Sequence, residues 1–175
     1  MAQAKQDKIA ALYADLKARQ FAAAPEVTVE ELQAWQREGK ELVLCDVRTQ
    51  EEHAVSTLPG ARTRADVEAH RAQLKASKVP VLCFCTIGAR SGVAVLALRR
   101  DGVEAFNLKG SILSWTHAGG PLVEPDGKAT RRVHVYSPAW SLEAEAYSPV
   151  TFQKPPLGKV LFTFLRDKSR ALFGV

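Results

Sequence analysis

The stretch Cys83-Phe84-Cys85-Thr86-Ile87-Gly88-Ala89-Arg90-Ser91 sets thiols, a glycine and a guanidinium between two apolar runs. A thiol becomes a useful nucleophile only when it ionises. It ionises near neutrality where positive charge or N–H dipoles surround it. Cys85 follows the apolar run 79–84, which has the look of a buried strand. The loop Thr86, Ile87, Gly88, Ala89 and Arg90 then leads into a helical pattern opened by Ser91. The amides of such a loop and the dipole of the following helix favour an anion. The anion at that place is the Cys85 thiolate, or a group attached to it. Gly88 lets the backbone fold close around the sulfur. Arg90 stays protonated and can hold the loop or an anionic substrate. A thiol ionised by its surroundings attacks without a general base, and none of the four histidines lies in a recognisable partner motif.

Other groups have plainer expectations. Asp46 and Arg48 lie at the carboxyl end of the strand expected in the run 41–47, beside the expected pocket. They fit an orienting network around the cysteine loop or an ordinary salt bridge and turn, and the sequence leaves both open. Glu52 and His53 begin a helix as structural residues. Cys83 and Cys45 read as core filler, since free cysteines are among the most buried residues. A zinc site needs about four N or S ligands, and Cys83-Phe84-Cys85 has no matching second pair, so no metal is expected. Trp115 reads as a packing anchor. His117 and His134 have no evident partners and fit surface or satisfied interior positions.

The elements that must position these residues follow from periodicity. Ile9, Leu12, Tyr13 and Leu16 mark an amphipathic helix over 5–20, with Pro25 preventing its continuation. Thr28 and Glu31 have the spacing of a capping box, and Gly39 suits the helix stop. Apolar runs at 41–47, 79–84 and 103–108 alternate with helical patterns at 66–76 and 91–100. That alternation predicts a central parallel sheet with flanking helices, an α/β fold. A short helix is expected over 111–119 and a hairpin turning at Pro125-Asp126-Gly127. Residues 137–157 hold four prolines and read as extended surface chain, before a last helix over 159–173. The expected division is an N-terminal helix (1–24), a central domain (25–124) and a C-terminal hairpin, extended segment and helix (125–175).

The bulk composition excludes several classes. With 175 residues, 46% hydrophobic and 25% charged, the chain can bury one sizeable core. It has no apolar run long enough to span a bilayer and no apolar signal-peptide core near its start. Three cysteines without a secretory signal make the reducing cytoplasm the expected compartment. The net charge is +5, but residues 1–127 hold 16 basic and 16 acidic side chains, and residues 128–175 hold 8 and 3. A neutral body argues against a nucleic-acid binder. The basic, partly apolar segment 159–173 could lie on an anionic membrane, although docking on its own domain or on a second copy is the stronger expectation. The oligomeric state is not written in the sequence.

Three motifs together resemble one family. The loop "CTIGARS" after an apolar strand is similar to the active-site loop of single-domain rhodaneses, the thiosulfate sulfurtransferases. "LVLCDVRTQEEH" followed by "LPGA" resembles the family's aspartate-valine-arginine segment and its proline-glycine-alanine turn. "NLKGSILSWTHAGGPLV" resembles its closing motif, and order and spacing agree over residues 27–123. One departure is that Ser56 and Thr57 stand where the family often has glycine and histidine. The resemblance implies a rhodanese-like fold and a sulfurtransferase. Cys85 would accept a sulfane sulfur from a small-molecule donor such as thiosulfate. It would then pass that sulfur, from a persulfide, to cyanide, a small thiol or a protein thiol. The loop from Thr86 to Arg90 would bind the persulfide, with Asp46, Arg48 and Ser91 in support and no metal or organic cofactor. Related phosphatases and arsenate reductases carry a loop one residue longer. The six residues from Cys85 to Arg90 therefore favour one sulfur atom over a tetrahedral oxyanion. Those two activities, and a non-catalytic interaction module, are the alternatives.

Overall fold

The computed structural model describes residues 1–152, together with Leu165 and Ser169. The chain opens with helix α1 (Ala2–Gln20), strand β1 (Glu26–Val27) and helix α2 (Val29–Arg37). The Thr28–Glu31 capping box forms as its spacing predicts, and Gly39 takes up a left-handed φ of +67° past the helix end. Then follow β2 (Val43–Asp46), α3 (Gln50–Val55), β3 (Arg62–Thr63), α4 (Arg64–Ala69), α5 (Arg71–Ser77) and β4 (Val81–Phe84). Next come α6 (Ala89–Arg100), β5 (Ala105–Leu108), α7 (Ser111–His117), the β6 (Leu122–Val123) and β7 (Ala129–Thr130) hairpin, β8 (Arg132–His134) and β9 (Ser148–Val150).

The five strands β1-β5-β4-β2-β3 form one parallel sheet in that order, with β4 at its centre. Alternation along the strands sends side chains to opposite faces. Leu44, Leu82, Phe84 and Leu108 join one buried cluster, with Ile112, Leu113 and Trp115 of α7. Val81, Cys83, Cys85 and Ala105 join the other, with Val93, Ala94 and Leu98 of α6. Cys85 thus continues the Cys83 face just beyond the carboxyl end of the central strand. Helix α1 feeds both clusters, Ile9 entering the first and Tyr13 the second.

Three elements differ from their expected forms. The pattern at 66–76 is two helices, because His70 leaves helical geometry (φ −103°, ψ 13°) and its ring nitrogen lies 2.8 Å from the Asp66 carbonyl. Helix α6 begins at Ala89, two residues before Ser91, since Gly88 at φ +116° turns the chain within the loop and caps the helix. The extended segment contains a strand, β9, which pairs in parallel with β8. Pro149 within it hides the strand signal, because proline offers no ladder donor. Most of the helix expected over 159–173, with its possible membrane contact, lies outside the described residues; the two described there, Leu165 and Ser169, are helical. Among the described residues, no helix is long and apolar enough to cross a membrane.

Candidate active site

The loop between β4 and α6 is pinned at its start. The Cys85 amide donates to Ser111 Oγ (3.1 Å), and the Cys85 carbonyl accepts from the Ile112 amide (3.2 Å). The Thr86 carbonyl accepts from the Leu113 amide (3.2 Å). Thus α7 holds the start of the loop, and Ser111, whose φ of +50° is unusual for a side chain with a Cβ, is the residue that turns toward it. Ile87 is buried in the first cluster, while Ala89 and Arg90 are half-buried in the first turn of α6.

Around the sulfur the donors converge. The Gly88 amide lies 3.1 Å from Cys85 Sγ and the Ser91 hydroxyl 3.5 Å from it. First-turn amides of a helix have no intrahelical acceptor, so their dipoles act on what lies in front of them. Burial pushes the Cys85 thiol up. The Arg90 charge, the Ser91 hydroxyl and the amides of Ser91 and Gly88 outweigh that effect, and the thiol falls below its ordinary range. Cys45 contrasts with it. It stands opposite Cys83 in the β2–β4 register, and the bond to Cys83 and burial both push its thiol up, which suits an inert core residue.

Arg90 is held rather than free. Its Nη1 and Nη2 donate to the two oxygens of Glu52 at 2.6 and 2.8 Å, and Nη2 also reaches Thr86 Oγ1 at 3.3 Å. Glu52 is 1% exposed and also completes a capping box with Thr49 at the start of α3. Burial raises its carboxyl, but bonds to Arg90 and His134 hold it well below the carboxylate range. His134 Nδ1 stands 3.0 Å from Glu52 Oε1, and its ring stacks on Phe152 at 4.3 Å between centroids. Tyr136 presents its ring 5.5 Å from the Arg90 guanidinium. The expectation of a structural Glu52 is therefore half the account: it caps a helix and also grips the loop arginine. The partner of His134, left unnamed by the sequence, comes from a segment more than eighty positions away.

Asp46 and Arg48 form a buried bidentate pair, Nε to Oδ1 at 2.9 Å and Nη2 to Oδ2 at 2.7 Å. Their further bonds run to the Ser56 carbonyl, the Thr57 hydroxyl and the His53 ring. These contacts fit the plain salt-bridge reading, and the pair braces the neighbouring turn rather than bonding the cysteine loop. Of the departures from the family pattern, Thr57 supplies a side-chain hydrogen bond of its own, to Asp46, whereas Ser56 takes part through its carbonyl and its buried hydroxyl has no partner among the described residues. Trp115 is a packing anchor as expected: it is buried and donates to the Pro121 carbonyl. His117 Nε2 lies 2.8 Å from the Leu142 carbonyl.

The sequence model of the rhodanese-like domain matches residues 28–118. The chain belongs to the rhodanese-like domain family. It is 31% identical over 107 residues to a sulfurtransferase of Allochromatium vinosum, a match covering 58% of this chain and 97% of that protein. It is also 36% identical over 106 residues to a tRNA uridine(34) hydroxylase of Xylella fastidiosa, where it spans only 41% of the relative's length. Among solved structures, a thiosulfate sulfurtransferase from Pseudomonas aeruginosa aligns with a TM-score of 0.56 at 20% identity, over 93% of this chain and 27% of that one. At that identity the likeness concerns the fold. The rhodanese-like match ends before β6 and begins after α1, so Tyr13, His134 and Tyr136 lie outside the matched residues.

Proposed function

We propose that this rhodanese-like protein is a sulfurtransferase that carries a sulfane sulfur on Cys85. The observation that supports the reading is the Gly88 amide 3.1 Å from Cys85 Sγ at the N-terminus of α6, beside the protonated Arg90. The Cys85 thiolate attacks the sulfane sulfur of a donor such as thiosulfate. A new S–S bond forms, the old one breaks, and the electron pair leaves with sulfite. The product is a Cys85 persulfide, anionic at its outer sulfur and suited to the loop amides. Cyanide or a thiolate then attacks that outer sulfur, takes it away as thiocyanate or a new persulfide, and returns the Cys85 thiolate. No net oxidation occurs and no proton relay is required.

Arg90 acts through its fixed charge, because Glu52 and Thr86 take three of its five N–H donors, on both terminal nitrogens. The six-residue span from Cys85 to Arg90 suits one sulfur better than a phosphate. An intact thiol among N–H donors is also more than a binding-only module needs. The test is the intact mass of the protein after thiosulfate exposure. A gain of one sulfur, about 32 Da, removable by cyanide and lost in Cys85→Ser but kept in Cys83→Ser, supports the persulfide. No gain, together with turnover of an aryl phosphate, assigns phosphatase chemistry instead. Neither reaction would leave the interaction module.

A further inference from the structure

The hydrogen bonds behind Gly88 lead away from the loop to a helix outside the rhodanese-like match. The Gly88 carbonyl accepts from the Gly92 amide at 2.9 Å and from Asn107 Nδ2 at 3.0 Å. The same Asn107 nitrogen donates to the Tyr13 hydroxyl at 3.1 Å, and that hydroxyl donates to Glu26 Oε2 at 2.9 Å. Lys17 holds the same carboxylate oxygen at 2.6 Å. The Tyr13 ring packs closely against the loop: a Cβ added to Gly88 would stand 2.5 Å from Tyr13 Cε2. A path of contacts therefore runs from α1 through β5 to the residue whose amide lies 3.1 Å from the sulfur.

Asn107 has a cost that calls for a use. It is 0% exposed in β5, both protons of its amide nitrogen are engaged, and its Oδ1 has no partner among the described residues. A half-satisfied buried amide destabilises, and an apolar side chain of the same shape would avoid the penalty. What the amide supplies is a donor to Gly88. Bonding the Gly88 carbonyl fixes the peptide leading into Ala89. It also polarises that peptide, so its N–H becomes a better donor at the start of α6.

We infer that Tyr13 and Asn107 are positioning residues for sulfur transfer, holding the Gly88 backbone so that its amide stays on Cys85 Sγ. The inference rests on the sulfurtransferase reading. It makes α1 part of the working site. Tyr13 does not touch the sulfur. It orients Asn107 through its hydroxyl and limits Gly88 through its ring.

The experiment is the pH profile of Cys85 alkylation by iodoacetamide, followed by peptide mapping in the full chain. The profile is set beside the pH profile of sulfur transfer from thiosulfate to cyanide. Tyr13→Phe keeps the ring and removes only the hydroxyl. Asn107→Leu removes the donor, and if it does not fold, Tyr13→Phe carries the test alone. Leu16→Ala loosens α1 without touching the network and is the packing control. Losing one hydrogen bond of ordinary strength should raise the apparent thiol pKa by about half to one unit, slowing transfer at pH 7 about three- to tenfold. The loss should recover at alkaline pH, which a merely structural defect would not do. A depressed wild-type pKa with unmoved Tyr13→Phe and Asn107→Leu overturns this inference alone. An equal shift in Leu16→Ala does the same. A wild-type thiol that titrates as an ordinary one overturns the sulfurtransferase reading beneath it.

Discussion

Glu52 and Arg90 meet through two parallel bonds, at 2.6 and 2.8 Å, across thirty-eight positions of sequence. This pairing changes what Arg90 can do. An arginine with a free fork would clamp an oxyanion. Here the fork is spent on a buried carboxylate, and the guanidinium contributes a fixed field to Cys85. The same contact ties α3 to the first turn of α6, so a second element besides α7 holds the loop.

Removing one half of this pair should be severe. Glu52→Gln leaves a guanidinium in a buried site without its counter-charge, and also weakens the α3 cap. Breaking a buried pair costs about 3–5 kcal/mol, so the urea midpoint should fall strongly. A drop below 1 kcal/mol would show that water or another carboxylate takes over, contrary to the burial of Glu52.

Replacing both halves separates stability from ionisation. An Arg90→Met/Glu52→Leu double variant restores an apolar contact and should recover most of the stability lost in Glu52→Gln. Its thiol should nevertheless titrate higher than wild type, since the Arg90 charge that opposes burial at Cys85 is gone. At pH 7 the thiolate fraction falls and iodoacetamide reacts more slowly with native protein. Cys85 is only 2% exposed, so the rate must be measured on folded protein below its unfolding transition. Complete protection of wild-type Cys85 from the reagent would count against the proposed chemistry itself.

Acid should unfold the protein through two carboxylates. Asp46, beside Arg48 and His53, and Glu52, beside Arg90 and His134, are both held below their ordinary values despite burial. A depressed native pKa contributes stability that is fully present above the unfolded value. That stability is lost as pH falls from the unfolded value toward the native one. Each group should then contribute on the order of 2 kcal/mol that disappears from about pH 5 downward. Urea unfolding at pH 7, 5, 4 and 3 should show a flat region and then a decline. Asp46→Asn should reduce the slope of that decline, and an unchanged slope would remove Asp46 from the account.

Much of this site was legible because it is local in sequence. The strand, the six-residue loop and the following helix lie on consecutive residues, and period-two alternation puts Cys83 and Cys85 on one face wherever the strand stays regular. The Thr28–Glu31 cap, the parallel strands and the Pro125-Asp126-Gly127 turn are local signals as well. What stayed hidden is what the fold brings together from afar. Glu52 showed only helix-opening chemistry, since its partner Arg90 is supplied by another crossover. His134 and Tyr136 showed no motif, because their neighbours come from α3 and α6. Tyr13 looked like one apolar position on an amphipathic stripe, and its hydroxyl mattered only once β5 placed Asn107 beside it. Helix boundaries slipped where a single backbone geometry decided them, at His70 and at Gly88.

Gly92 gives a test in which two general rules have opposite signs. In an exposed helix interior, Gly→Ala stabilises by roughly 1 kcal/mol because alanine has the better helix propensity. Gly92 lies in the second turn of α6, with its φ on the ordinary side, so backbone strain does not enter. Its missing Cβ is occupied by Phe21: an added methyl would stand 2.3 Å from Phe21 Cδ2. Phe21 is buried and edge-packed on Tyr13, with ring centroids 5.6 Å apart, so it has little room to retreat. Overpacking of this kind costs about 1–3 kcal/mol and outweighs the propensity gain. Gly92→Ala should therefore lower the thermal midpoint. Because Phe21 leans on Tyr13, it should also disturb Cys85 alkylation. Shrinking the neighbour in Gly92→Ala/Phe21→Leu should restore part of both. Stabilisation by the single substitution would mean that α1 does not press on α6 as closely as these distances require.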